Sequence, residues 1–251
     1  MHAPPTIIFD LDDTLIRTSA TFDAARESFA ALMAHRGFSP DEALATLTDL
    51  DLRRVETEGF GRSRFPLSLR DTYIRLCQEK SMPVDPGTTR EVERIGADVF
   101  NTPPEPFEDT HDVLRLLRGE GCPLFLLTKG DPDVQQFRIE GASLRGYFDA
   151  IHIFPRKNLP ELRAVLTEHD LSHENTWVVG DGVRSDINPA LEEGLLAILV
   201  GDKRWQYEDV PPLSNQFYRV ANVGRVPDYV LANGNRPPLP GESSGGAALR
   251  A

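Results

Sequence analysis

Two carboxylates behind one apolar run, and two more behind another, are the residues here whose types and spacing could do chemistry. Thr6-Ile7-Ile8-Phe9 runs directly into Asp10-Leu11-Asp12-Asp13-Thr14. The run reads as a strand, and Asp10 and Asp12 share one parity of its alternation, so both leave the strand tip on the same side. Like charges that close repel and shift each other's pKa unless a cation neutralises them. Thr176-Trp177-Val178-Val179 repeats the plan, with Gly180-Asp181 immediately behind it and Asp186 completing the segment. Either cluster alone could be a solvated acidic turn after an edge strand. Two clusters of one design argue for a shared centre, because ligands of open α/β sheets bind outside the carboxyl ends of the strands. Carboxylates with backbone carbonyls and water suit a hard divalent cation, Mg2+ before others. The six histidines and two cysteines are scattered and show no zinc-type spacing.

Two further groups lie between the clusters. Leu124-Phe125-Leu126-Leu127 ends in Thr128-Lys129-Gly130-Asp131-Pro132. A hydroxyl and free backbone N–H groups at a strand tip, just before a helix starting near Asp131, form an anion cradle. An ordinary capped strand-to-helix turn would read the same way. Lys157 then follows the run Ala150-Ile151-His152-Ile153-Phe154. Such a lysine is often merely solvated, and its interest lies in the order: carboxylates, hydroxyl, ammonium, carboxylates, each behind a strand.

That order, Asp-x-Asp-x-Thr, strand-end Thr, Lys, then Gly-Asp-x-x-x-x-Asp, resembles the haloacid dehalogenase-like (HAD) superfamily of phosphohydrolases over roughly residues 6 to 201. Phe148-Asp149 before the fourth strand and Pro160 after Lys157 also look like this family's phosphatases. The resemblance implies Asp10 as nucleophile, forming an aspartyl-phosphate, and Asp12 as the acid that protonates the leaving oxygen and then the base that activates water. Thr128 and neighbouring N–H groups would bind the phosphoryl oxygens, and Lys157 would pair with Asp10 and the phosphoryl group. Mg2+ would be held by Asp10, the main-chain carbonyl of Asp12 and Asp181. Asp186 would bind the metal through water or orient Lys157. Members that displace halide look similar but lack an acid at the position of Asp12, because halide leaves unprotonated. Phosphonate cleavage in the family needs a cap lysine, and the only one here, Lys80, lies in an amphipathic stretch. Two departures stand out: Lys129 follows Thr128 where Asn is more frequent, adding charge at the cleft, and Ile187-Asn188-Pro189-Ala190 replaces a frequent Gly-Ala pair.

The elements that must position these groups follow from periodicity. Strands near residues 6–9, 124–127, 150–154, 176–179 and 195–200 alternate with helical patterns, which predicts an α/β fold: a doubly wound parallel sheet, Rossmann-like, with an inserted α-helical cap subdomain. Residues 1–17 and 105–232 are expected to form the core and 18–104 the cap. Within the cap, Ser19 would cap a helix reaching 35–36 with Phe22, Ala25, Phe29, Leu32 and Met33 on one face. Ser39-Pro40-Asp41-Glu42 starts a second helix, with 67–80 and 88–100 as two more. Residues 101–106 form a proline-rich return linker to a helix over 109–118. Residues 217–220 would add an edge strand and 228–231 a turn or last helix. Residues 233–251, rich in Asn, Gly, Pro and Ser, would form a disordered tail.

Substrate choice is expected in the cap. Arg53-Arg54 through Gly59-Phe60-Gly61-Arg62-Ser63-Arg64-Phe65 reads as a loop-like stretch, with Arg62 and Arg64 gripping an anionic or planar leaving group alongside Thr128, Lys129 and Lys157. A solvated basic loop is the alternative. Arg184, inside the last motif, would pair with Asp186 or face the cleft.

Composition sets the outer limits. A chain of 251 residues with 40% hydrophobic content can bury a core and an inserted subdomain. A formal charge of −12 disfavours nucleic-acid polymers as partners but not a small phosphorylated metabolite drawn into a local positive pocket. Two cysteines cannot form a disulfide framework, no apolar stretch of membrane-spanning length exists, and no signal peptide is evident, so a cytoplasmic setting is expected. A Mg2+-dependent phosphomonoester hydrolase is the leading reading. A phosphosugar mutase on the same chemistry and a non-catalytic metabolite-binding protein are the alternatives. The identity of the metabolite and the oligomeric state are not legible.

Overall fold

A computed structural model of the chain describes residues 3–202 and 205–232. The expectation for the tail, 233–251, lies outside the described residues. Six parallel strands form one sheet: β1 (Thr6–Phe9), β2 (Leu124–Lys129), β3 (Ala150–Phe154), β4 (Thr176–Gly180), β5 (Leu196–Val200) and β6 (Tyr218–Val220), in the order β3-β2-β1-β4-β5-β6. The central strands carry almost no polar residues because both faces are covered. Period-two alternation then sorts each strand between two cores. Ile7 and Phe9, Leu124 and Leu126, Trp177 and Val179, and Ile198 and Val200 enter one cluster. Ile8, Phe125 and Leu127, Val178, and Ala197 and Leu199 enter the other.

The helices α1 (Ser19–His35), α2 (Pro40–Glu58), α3 (Arg64–Glu79) and α4 (Pro86–Asp98) all intervene between β1 and the core helix α5 (Thr110–Gly119). They bury a third core of their own, around Phe29, Met33, Leu47, Phe65, Leu69, Leu76 and Val92. The chain leaves and re-enters the sheet layer side by side: Arg17 N–H donates to Glu105 O at 2.8 Å and Phe107 N–H to Leu15 O at 3.0 Å. Thr110 Oγ1 donates to Leu15 O at 2.8 Å and ties the start of α5 to the same neck.

Helix starts follow local chemistry, with two differences from the sequence reading. Ser39 caps α2 through the Glu42 N–H, and Asp85 caps α4 through the Thr88 N–H. Ser19 does not cap α1: it is the first helical residue, and Asp13 Oδ1 accepts from the N–H groups of Thr18 (3.1 Å) and Ser19 (2.8 Å). The stretch read as an arginine loop is mostly helix. Arg53 and Arg54 lie within α2, and α3 begins at Arg64, because Arg54 pairs with Glu58 one turn on and with Asp71 across the helix pair.

The remaining elements are α6 (Pro132–Gly141), α7 (Leu159–Glu168), α8 (Asn188–Glu192) and α9 (Pro227–Val230). The first strand sits mid-sheet, and successive strands extend first to one side of it and then to the other. The carboxyl ends of β1 and β4 therefore flank the topological switch point.

The cap depends on one close approach. A Cβ on Gly96 of α4 would come within 2.6 Å of Pro66 Cα in α3. Gly96→Ala is expected to destabilise the protein by about 1–3 kcal/mol, since neither backbone can yield cheaply. Urea unfolding monitored by circular dichroism checks it, and an unchanged midpoint would refute the close packing of α3 on α4.

Candidate active site

The register of β1 against β4, Phe9 opposite Val179, brings the two acidic tips level, and Asp10 N–H donates to Val179 O at 2.9 Å. Asp10 is 6% exposed. Its Oδ2 accepts from Thr14 Oγ1 at 3.2 Å, and its Oδ1 accepts from Lys157 Nζ. Lys157 Nζ also reaches Asp186 Oδ1 at 2.7 Å and Leu127 O at 3.2 Å. The ammonium thus sits in a fully buried cradle of two carboxylates and a carbonyl. Burial opposes its charge, but Asp10 and Asp186 outweigh burial and hold it protonated.

Asp186 lies on the wide turn Val183–Ile187, where its Oδ2 accepts from Gly182 N–H at 3.0 Å. Gly180 is required there: any Cβ would overlap the Asp186 carboxylate. Asp181 completes the set, and carboxylate oxygens of Asp10, Asp181 and Asp186 lie within 4.8 Å of one another. Burial first, then Asp10 and Asp186, push Asp181 well above the ordinary carboxylate range. Burial likewise pushes Asp10 up to about 7, with Lys157 opposing it and Asp186 adding to it. Asp10 and Asp181 thus resist ionising together, and a hard divalent cation is the partner that the oxygens of the three acids fit.

Asp12 is managed differently. Burial opposes its ionisation, but Arg138 and hydrogen bonds from Thr18 and Gln135 outweigh burial and lower its pKa. Arg138 Nη1 donates to Asp12 Oδ1 at 2.9 Å, Thr18 Oγ1 to the same oxygen at 2.5 Å, and Gln135 Nε2 to Oδ2 at 2.7 Å. Gln135 and Arg138 stand one turn apart on α6, whose start is capped by Asp131 through the N–H groups of Asp133 and Val134. Gln135 Nε2 also donates to Thr128 Oγ1 at 2.7 Å, which leaves the Thr128 hydroxyl proton available elsewhere.

A cavity of about 160 Å³ opens over these groups. Asp10, Asp12, Asp181 and Lys129 line its floor, and Phe22, Arg26, Asp51, Phe60, Arg64 and Phe100 line it from the cap side. Lys129 Nζ is tied to Glu208 Oε1 (2.7 Å) and Ser185 Oγ (2.9 Å), and Glu208 outweighs burial in raising its pKa. Lys129 is therefore a paired cation at the cavity floor rather than a free one. Arg64 lines the cavity, whereas Arg62 is exposed on the turn before α3 and does not. Arg184 neither pairs with Asp186 nor faces the cleft: its Nε donates to Tyr207 O at 2.8 Å on the surface. Two of the scattered histidines do meet, away from this cavity, where His152 Nε2 and His169 Nε2 lie 2.9 Å apart beside Glu168.

Sequence reasoning missed Gln135, Arg138, Asp51 and Glu208. A polar pair at i, i+3 on α6, just behind the strand-end cradle, was a usable signal for the first two. Asp51 sits on the buried face of α2 with Ala43, Leu47 and Val55, a polar residue in an apolar stripe. Glu208, 3% exposed in the short turn Gln206–Glu208, had no local signal.

The family model for haloacid dehalogenase-like hydrolase matches residues 4–194, and the chain belongs to that family. No curated protein matches it in sequence. Among solved structures it is similar to a haloacid dehalogenase-like family hydrolase from Xanthomonas campestris, at 23% identity over 92% of this chain and 96% of that one, with a TM-score of 0.75. It is similar to L-2-haloacid dehalogenase from Xanthobacter autotrophicus at 15% identity, covering 92% and 99%, with a TM-score of 0.57. The HAD phosphatase from Thermococcus onnurineus gives 16% identity, 92% and 99%, and 0.56. At these identities the structural likenesses speak for the fold, and both reaction types occur on it.

The geometry around Asp12 is testable directly. Arg138 favours the ionised form of Asp12, so Arg138→Met is expected to make that carboxyl titrate at higher pH. A 13C NMR titration of the Asp12 side chain reads this, and an unmoved titration would show that the guanidinium does not act on it.

Proposed function

We propose that this hydrolase is a Mg2+-dependent phosphomonoesterase acting on a small phosphorylated metabolite through an aspartyl-phosphate. The observation that carries the reading is Asp12, a carboxylate facing the same cavity as Asp10 and gripped by Arg138, Gln135 and Thr18. A halide leaves without a proton and needs no such group, whereas an alkoxide leaving group does.

In this reading the ester enters as its monoanion and passes its proton to Asp12; Asp10 Oδ then attacks phosphorus, and the P–O bond to the leaving group breaks as Asp12 hands that proton to the leaving oxygen. Asp12, now ionised and stabilised by Arg138, takes a proton from water, which attacks the same phosphorus and returns Asp10 as carboxylate. Lys157 holds Asp10 oriented and lowers the repulsion an anionic phosphoryl group would meet. Thr128 and backbone N–H groups before α6 would receive the phosphoryl oxygens. Asp10, the Asp12 carbonyl and Asp181 would hold Mg2+, with Asp186 anchoring Lys157 and contributing to the metal site through water. The cation supplies charge neutralisation for carboxylates and phosphoryl oxygens. No helix among the described residues is long and apolar enough to cross a membrane. Cys77 and Cys122 are both free and buried, which supports a reducing, cytoplasmic setting.

Turnover of p-nitrophenyl phosphate with and without Mg2+, in parallel with chloride release from 2-chloropropionate, tests the proposal. Metal-dependent phosphate release is expected, reduced to background by Asp10→Asn and by about 10²- to 10⁴-fold by Asp12→Asn. Chloride release without phosphate release would overturn it.

A further inference from the structure

The cap end of the cavity offers ring surface rather than charge. Arg64 and Asp51 are buried and paired with each other, so their charges cancel within the wall. Arg26 donates to Thr48 Oγ1 at 3.1 Å. What the phosphoryl chemistry leaves unused there is a set of four half-buried rings: Phe22 in the first turn of α1, Phe60 on the turn before α3, Phe100 just beyond α4, and Trp205 from the core. They stand in two steeply inclined pairs. Phe22 and Phe100 have centroids 6.0 Å apart with their planes at 87°, and Phe60 and Trp205 lie 5.9 Å apart at 70°. The first pair is anchored in the cap core, where Phe22 meets the buried Phe65 at 5.0 Å. The second spans cap and core. Aromatic walls beside a few fixed polar groups are what a pocket for an organic ligand presents.

Charge, surface and volume say what kind of ligand. Acidic side chains outnumber basic ones around the cavity, so a second anionic group on the leaving group would meet net repulsion while losing its water. A polyol fares no better, because its hydroxyls would give up water against ring faces that make no ordinary hydrogen bonds. A flat uncharged ring gains instead: edge-to-face or offset contact at centroid spacings of about 4.5–7 Å is the arrangement aromatic rings favour. The cavity, about 160 Å³, is close to the roughly 150 Å³ that takes one benzene-sized guest. That scale suits a single ring and leaves no room for a nucleoside.

We propose that Phe22, Phe60, Phe100 and Trp205 form the leaving-group subsite and select phosphate monoesters of uncharged alcohols that carry one aromatic ring. This rests on the phosphomonoesterase reading and narrows its substrate class to arylalkyl phosphates.

The test compares kcat/KM of the Mg2+-supplemented protein for benzyl phosphate with that for glycerol phosphate, phosphoglycolate and adenosine monophosphate, with p-nitrophenyl phosphate alongside. The first four are all alkyl esters, so leaving-group acidity does not decide their order. Benzyl phosphate is expected to lead by about ten-fold or more, the scale of two aromatic contacts. Phe100→Leu and Trp205→Leu keep the wall apolar but remove a ring face. Each is expected to lower the ratio of benzyl phosphate to glycerol phosphate by about three- to ten-fold, and thermal melts establish that each variant is folded. Turnover of p-nitrophenyl phosphate with glycerol phosphate, phosphoglycolate or the nucleotide preferred over benzyl phosphate would overturn the subsite and leave the phosphatase reading standing. Folded Phe100→Leu and Trp205→Leu proteins with unchanged ratios would do the same. Failure of every ester, p-nitrophenyl phosphate included, would overturn both.

Discussion

The rest of the structure depends on two carboxylates buried against one ammonium, with a third, partly buried, beside them. Asp10, Asp181 and Asp186 converge where β1 and β4 end, and Lys157 touches two of them from beneath. Taking one member from a buried, hydrogen-bonded charge set leaves its partners unpaired in a low dielectric, which is far more costly than an exposed pair. The surrounding architecture keeps that set closed. Gly180 makes room for Asp186, the wide turn of 183–187 aims it, and β3 delivers Lys157 from the sheet edge.

A second tier of charge surrounds this centre, and it follows a different logic. Arg138 holds Asp12 ionised, while Glu208 and Ser185 hold Lys129. Asp10, Asp12 and Lys129 at the cavity floor each have a partner from an element distant in sequence. The carboxyls are pushed in opposite directions: Arg138 and hydrogen bonds bring Asp12 down against its burial, while burial brings Asp10 and Asp181 up. In the proposed reading such divergence among neighbouring carboxyls would divide the labour between nucleophile, metal cradle and proton carrier.

In the proposed reading the cap would add selectivity to this electrostatic core. Its helices bury their own apolar cluster, so α1 to α4 can present Arg26, Asp51 and Arg64 to the cavity while the sheet presents the carboxylates. Phe60 on the cap meets Trp205 and Tyr207 on the core at 5.9 and 5.3 Å, giving the two layers an aromatic contact at the cavity rim. The loop reading holds for residues 59–63 and fails on either side of them, because clustered charge and glycine suggest solvation. In the folded protein Arg54 and Arg64 are ion-paired against neighbouring helices, while Arg53 and Arg62 are exposed.

The sequence by itself determined the strands, their two-sided burial, and the placement of Asp10, Asp12, Thr128, Lys157, Asp181 and Asp186 behind strand ends. These are local matters: an apolar run of period two must be a buried strand, and a polar residue immediately after it must lie at the tip. Gly180 was legible as part of a motif, and its steric reason became visible only with Asp186 folded back over it. Which charges meet was decided by tertiary structure. Arg138 reaches Asp12 across 126 positions, and Lys129 reaches Glu208 across 79. Asp51 is buried beside Arg64 only because α2 packs on α3. Ion pairing of this kind carries no period along the chain. It depends on which helix faces come together around the sheet, and a buried acid in an irregular turn, such as Glu208, looks the same in sequence as a solvated one.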